Sequence, residues 1–159
     1  MSHVRHRGTV DVNVRVAGHE DGGKLSQLRR SWALEQGAGE DDDYERRFLA
    51  WYALEQRQRR FWLAELNGQP IGMVNLLLFD RMPEPGAAPS RWGYLANMFV
   101  LEEHRDHQVG STLLAAALDW ADTKGLDRVV LNPTVRSRLF YERHQFAPAA
   151  ELMLRSRQA

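Results

Sequence analysis

The run Arg105-Asp106-His107-Gln108-Val109-Gly110-Ser111 and the later Tyr141 carry the residue types and spacing best suited to chemistry in this chain. The run sits between an apolar segment at 94–101 and an apolar helical pattern that begins at Gly110. The first N–H groups of a helix lack intrahelical partners, and aimed at an anion they bind it without a charged side chain. Val109, Gly110, Ser111 and Thr112 supply those donors, and Arg105 can add a charge-assisted contact. Gly110 leaves space for close backbone approach. Taken alone, one glycine at a strand-to-helix junction is an ordinary turn, and one tyrosine is an ordinary core aromatic. A tyrosine one β-α unit after such a turn can nevertheless hold a proton. The pair therefore points to a phosphorylated cofactor held by main-chain amides, with acid–base chemistry beside it.

These residues need strands and helices to place them. Val10, Val12, Val14 and Val16 alternate with polar residues, the pattern of a half-buried strand. Leu25, Leu28 and Trp32 follow at helical spacing after Asp21-Gly22-Gly23. The acidic run Glu40-Asp41-Asp42-Asp43 suits the positive end of a second helix, whose apolar stripe is Tyr44, Phe48, Trp51 and Tyr52. Strands are predicted at 61–66 and 71–79, joined by the hairpin turn Asn67-Gly68-Gln69-Pro70. A Pro/Gly-rich loop at 82–89 precedes a strand at 94–101. Helix 110–124 ends at Gly125, strand 127–131 follows, then helix 135–144, and apolar residues at 146–154 suggest a last strand. The expected fold is α/β (α+β): a mixed, mostly antiparallel sheet, parallel in its middle, with helices on both faces.

The chain has 159 residues, which predicts a single domain over 1–159, with 1–8 as a loose tail. Lys+Arg and Asp+Glu both number 21, so the net charge is zero, which argues against gripping nucleic acid or an anionic membrane. Cysteine is absent, which rules out disulfides, thiolate metal sites and a cysteine nucleophile, and fits a cytoplasmic location. No apolar run approaches the length of a membrane span, and the polar N-terminus is unlike a secretory signal. Six histidines lack the helical spacing of metal ligands, so no metal is expected. Arg57-Gln58-Arg59-Arg60 beside aromatic residues fits a solvated helix end better than a nucleic-acid surface.

The segment 100–111 resembles the acetyl-coenzyme A signature of the GNAT superfamily of N-acetyltransferases, Arg/Gln-x-x-Gly-x-Gly/Ala between a strand and a helix. Phe140-Tyr141-Glu142-Arg143-His144-Gln145-Phe146 is similar to the family's Tyr-Glu-Lys-x-Gly-Phe ending, and the order of elements agrees along nearly the whole chain. Gln108 and Gln145 stand where the family has glycine, and Thr134 stands where asparagine is common.

The resemblance implies acetyl-CoA as co-substrate, without a metal. Its pyrophosphate would lie on Arg105, Asp106, His107, Gln108, Val109, Gly110 and Ser111. Its pantetheine arm would lie between splayed central parallel strands, along main-chain groups of Met98, Phe99 and Val100, with Thr134 and Ser137 adding contacts. Tyr141 takes the position of the general acid, and a main-chain N–H near Phe99 would face the oxyanion. The implied reaction is direct acetyl transfer to a primary amine of a small molecule or peptide. Asn97 is a candidate for the acceptor side or a satisfied amide. Glu65, Asp80, Glu102 and Glu103 are conceivable bases, and the acidic 40–43 run could attract a cationic amine. The alternative function is a non-catalytic module that binds acyl-CoA or a partner, and a homodimer is possible by family analogy.

Overall fold

The computed structural model describes residues 11–158. Its strands are β1 (Asn13–Val16), β2 (Arg59–Leu66), β3 (Gln69–Asp80), β4 (Arg91–Val100) and β5 (Arg128–Val130). Its helices are α1 (Gly22–Glu35), α2 (Tyr44–Glu55), α3 (Val109–Thr123) and α4 (Arg138–Arg143). The strands form one sheet in the order β1-β2-β3-β4-β5. Neighbours are antiparallel except for the parallel pair β4 and β5. The expected mixed sheet with helices on both faces is present.

Strand alternation divides the core in two. Trp62 and Ala64 of β2, Val74 and Leu76 of β3 and Leu95 of β4 join Leu113, Leu114 and Ala117 of α3 in one buried cluster. Phe61, Leu63, Met73 and Phe99 point the other way, onto Leu25 and Leu28 of α1 and Tyr52 of α2. The period of two along each strand and the stripe along each helix make this sandwich. Each fully buried leucine contributes about 1.5–3 kcal/mol. Asn67 and Gly68 turn the β2–β3 hairpin with φ of 51° and 77°, as Asn-Gly predicts. Gly125, with φ of 68°, closes α3 while Leu126 N–H donates to Ala121 C=O at 3.0 Å.

The last predicted strand does not form. Residues 147–158 carry turns and irregular backbone, and Met153 is 99% exposed. Pro148 removes a ladder donor there, and the adjacent apolar residues Met153 and Leu154 are almost fully exposed, so nothing holds a register. Among the described residues β5 therefore ends the sheet, so the parallel pair lies at its edge. Helix α4 is also shorter than predicted. Residues 134–137 instead form a local turn in which Ser137 N–H donates to Thr134 Oγ1 at 3.2 Å and Thr134 N–H donates to Ser137 Oγ at 3.0 Å. Val10 and the 1–8 segment lie outside the described residues.

An ion cluster ties β1, β2 and the start of α1 together. Arg15 reaches Asp21 at 2.7 Å and Glu65 at 3.0 Å, and Lys24 meets Glu65 from above. The Arg15 hydrogen bonds hold the Asp21 carboxyl down at about 2, against the opposing effect of burial. A carboxylate with a depressed folded pKa stabilises the fold above its unfolded value and loses that contribution as pH falls through the folded one. Stability should therefore decline between about pH 4 and pH 2. Asp21→Asn should flatten that decline and cost on the order of 1–2 kcal/mol at neutral pH. Urea unfolding of both proteins across pH 2–7 checks this.

Candidate active site

Pairing between β4 and β5 is brief: Trp92, Gly93 and Tyr94 face Arg128, Val129 and Val130. Past Tyr94 the strands separate. On its other edge β4 stays paired with β3, through Phe99 opposite Met73 and Val100 opposite Gly72. A cleft of about 720 Å³ opens along the freed edge of β4, a size in the range of small-molecule sites. Met98, Phe99 and Val100 form one wall, and Thr134, Ser137 and Tyr141 form the other.

Asn97 bulges β4. Its φ is 55°, and the β3–β4 register shifts between Met73 and Asn75. A bulge re-aims the strand and its free groups. The Asn97 side-chain oxygen is engaged: its Oδ1 accepts from Asn75 Nδ2 at 2.8 Å, and Asn75 Oδ1 accepts from Arg59 at 2.7 Å. Asn97 lines both the cleft and a second cavity of about 380 Å³ under α1 and α2. Asn97 is the residue that the two linings share.

A turn is present at the predicted place, before the start of α3. Asp106 and Gln108 both have left-handed backbone, with φ of 62° and 65°. Gln108 is the N-cap, and its carbonyl accepts from Thr112 N–H at 3.0 Å. The N–H groups of Val109, Gly110 and Ser111 precede that first helical bond and are free for an anion. Space is not what requires Gly110, since a Cβ there would meet the Phe140 ring at an ordinary 3.6 Å. Ser111 Oγ lies 3.2 Å from His144 Nε2. His107 is exposed. This turn lies outside the lining of the cleft and is joined to it by Arg105, which lines the cleft.

Arg105 is anchored by Glu35, which sequence reasoning missed. Arg105 Nε donates to Val100 C=O at 2.9 Å, and its Nη2 donates to Glu35 at 2.7 Å. Its guanidinium also lies over the Phe99 ring, and Trp32 stacks on that ring at 5.6 Å. These contacts pin the end of α1 to the mouth of the cleft. The partners are 70 positions apart, and no local pattern announces the pair.

Tyr141 is 8% exposed and packs between Phe140 and Phe146. Burial pushes its hydroxyl above the usual phenol range, so it keeps its proton at neutral pH. A helix-ending motif fixes its position: Phe146 N–H donates to Tyr141 C=O and Gln145 N–H to Glu142 C=O, each at 3.1 Å. Gln145 fills the left-handed position of that motif with φ of 69°.

None of the four conceivable bases lines the cleft or the second cavity. Glu65 is committed to Arg15 and Lys24, whose hydrogen bonds outweigh burial and hold its carboxyl below the usual range. Asp80 pairs with Arg91. The acidic 40–43 run is engaged as well, since Asp43 binds Arg46 at 2.7 Å and Asp41 binds Arg47. Among the described residues no group of three or more His, Asp or Glu is placed to hold a metal ion, and no helix is long and apolar enough to cross a membrane.

A family model described as the acetyltransferase (GNAT) family matches residues 25–146. No curated protein matches the sequence. Among solved structures, a predicted acetyltransferase with acetyl-CoA from Clostridium acetobutylicum is 20% identical, with a TM-score of 0.75 over 92% of this chain and 96% of that one. A ribosomal-protein-alanine N-acetyltransferase from Brucella melitensis is 21% identical, with a TM-score of 0.68 over 94% and 99%. An aminoglycoside N-acetyltransferase in complex with CoA is 19% identical, with a TM-score of 0.67 over 94% and 96%. At these identities the likeness is one of fold.

Glutamine in left-handed backbone at 108 and 145 costs roughly 1–2 kcal/mol at each site relative to a relaxed conformation. Glycine removes that cost but loses more chain entropy on folding. Gln108→Gly and Gln145→Gly should each stabilise the protein by about 0.5–1 kcal/mol, raising Tm by roughly 1–4 °C. Gln108→Val should lower Tm. Thermal unfolding of the three variants reads the difference.

Proposed function

The chain belongs to the acetyltransferase (GNAT) family, and on that premise we propose that it transfers an acetyl group from acetyl-CoA directly to a primary amine of a small molecule or peptide. The observation that carries the reading is the cleft along the freed edge of β4, whose lining shares Asn97 with a separate cavity. Two substrates, one in each space, would approach each other beside Asn97. One structural neighbour is an aminoglycoside N-acetyltransferase, which supports a small-molecule acceptor.

Acetyl-CoA supplies the thioester. In this reading the N–H groups of Val109, Gly110 and Ser111 hold the pyrophosphate, within the turn shaped by Asp106, His107 and Gln108. Helix polarity assists. Arg105 adds positive charge beside it. Main-chain groups of Met98 and Val100, which face the freed edge, take the pantetheine amides as an added strand, while the Phe99 main chain faces Met73 of β3. The Val100 carbonyl already accepts from Arg105. Thr134 and Ser137 close the facing wall.

The acceptor must first lose a proton. A lysine-like amine is neutral only about once in a few thousand molecules at pH 7. None of the four candidate carboxylates lines either space, and Glu35, which lines the cleft, is paired with Arg105, so that proton leaves to water. The amine nitrogen then bonds to the acyl carbon while a main-chain N–H near Phe99 faces the charge growing on oxygen. The C–S bond breaks, and its electron pair stays on sulfur. Tyr141 donates its proton to that sulfur and regains one from solvent as the new amide sheds its extra proton. The balance is ammonium plus thioester giving amide, thiol and one released proton.

Calorimetric titration should give saturable binding of acetyl-CoA below millimolar concentration, and no binding would overturn the reading. Tyr141→Phe should lower kcat by about a hundredfold or more while leaving acetyl-CoA affinity within about twofold. Thiol release measured beside calorimetry separates the two, and unaltered turnover would remove Tyr141 as the acid. Binding without thiol release across a broad amine panel would favour the non-catalytic alternative.

A further inference from the structure

The cavity under α1 and α2 holds buried donors without partners. It is walled by Phe48, Trp51, Phe61 and Met73, and Arg29, Tyr44 and Arg47 also line it. Arg29 Nη1 and Tyr44 Oη are both buried and make no hydrogen bond. Buried donors of this kind are costly, and such a group in a native protein calls for an explanation. Both residues line one cavity, and a small turn of each side chain toward an acceptor bound there would satisfy both donors.

The charge of the cavity narrows the ligand. No carboxylate lines it. Arg29 lies over the Trp32 ring at 4.7 Å and Arg30 over the Tyr44 ring at 5.7 Å. Neither arginine has a carboxylate partner among the described residues. Arg47 is paired with Asp41 at the mouth. A polycationic amine entering here would meet like charge with no lining carboxylate to offset it, which is unfavourable. An oxyanion would satisfy Arg29 and Tyr44 at once.

Resting on the acyltransferase reading above, we propose that the acceptor is a primary amine carrying an oxyanion and an apolar, preferably aromatic, body. The oxyanion lies between the Arg29 and Tyr44 side chains, which turn toward it, the body packs on Phe48, Trp51 and Phe61, and the amine points to Asn97. An amino acid with a large apolar side chain has this chemistry, and an aminophosphonate shares it. Arg29 and Tyr44 are then specificity residues for the acceptor.

The test compares L-phenylalanine, L-phenylalaninamide, 1-amino-2-phenylethylphosphonate and spermidine as acceptors, read as thiol release from acetyl-CoA. An anionic amine should exceed the amide and spermidine in kcat/KM by about tenfold or more. The carboxylate and phosphonate arms tell which oxyanion is preferred. Tyr44→Phe, which keeps the ring, and Arg29→Met should bring the acid-to-amide ratio to within about twofold, chiefly through KM, with acetyl-CoA affinity unchanged. The same compounds titrated calorimetrically onto the full chain, with and without CoA, read the preference even where turnover is absent. Equal or better binding and turnover of the amide or spermidine, or a ratio untouched by both variants, overturns the proposal. Failure of acetyl-CoA to bind overturns the acyltransferase reading instead and leaves the anion preference to be read by binding.

Discussion

Between Tyr94 and Val100, β4 keeps an antiparallel partner on one edge and loses its parallel partner on the other. Main-chain N–H and C=O groups within a sheet are costly to leave unpaired, so a strand edge opened inside the fold is a binding surface by construction. The other features of the site follow from that opening. Helix α3 begins at its far end and presents unpaired amides. Helix α4 closes the opposite wall and carries Tyr141. Arg105 bonds the Val100 carbonyl, capping the open edge where it meets the turn. The bulge at Asn97 breaks the register midway and opens the sheet toward the space beneath α1 and α2.

Packing holds this arrangement together where local propensity opposes it. Gln108 and Gln145 take conformations that favour glycine. At 145 the opposing stabilisation is visible in the paired helix-ending hydrogen bonds and in the contact of the Tyr141 and Phe146 rings at 5.7 Å. At 108 it comes from the apolar face of α3, where Val109, Leu113 and Leu114 are buried in the core. Tertiary contacts thus fix the two ends of the site against the preference of single residues.

Periodicity made much of the fold legible. The stripe Leu25, Leu28, Trp32 and the apolar face of α3 gave their helices, and Asn67-Gly68 gave the hairpin, because each is a local rule with a local cause. The 146–154 segment misled for the same reason. Its residues are apolar, but a strand needs a partner edge, and composition does not reveal one. The turn at 105–111 and the tyrosine of α4 were legible as a motif. The Arg105–Glu35 pair and the orphaned donors of Arg29 and Tyr44 were not, since they arise from elements that meet only in three dimensions. The acidic 40–43 run looked like an attractor for cations, yet its Asp41 and Asp43 are spent on neighbouring arginines.

The central claim is that the freed edge of β4 and the start of α3 together hold an extended, phosphorylated thioester. Amide hydrogen exchange, followed residue by residue with and without CoA, tests it most directly. The account predicts slowed exchange at Met98 and Val100 and at Val109, Gly110 and Ser111, with little change along β1 and β2. Saturating CoA that leaves those amides unprotected, or protects a different face of the sheet, would contradict it.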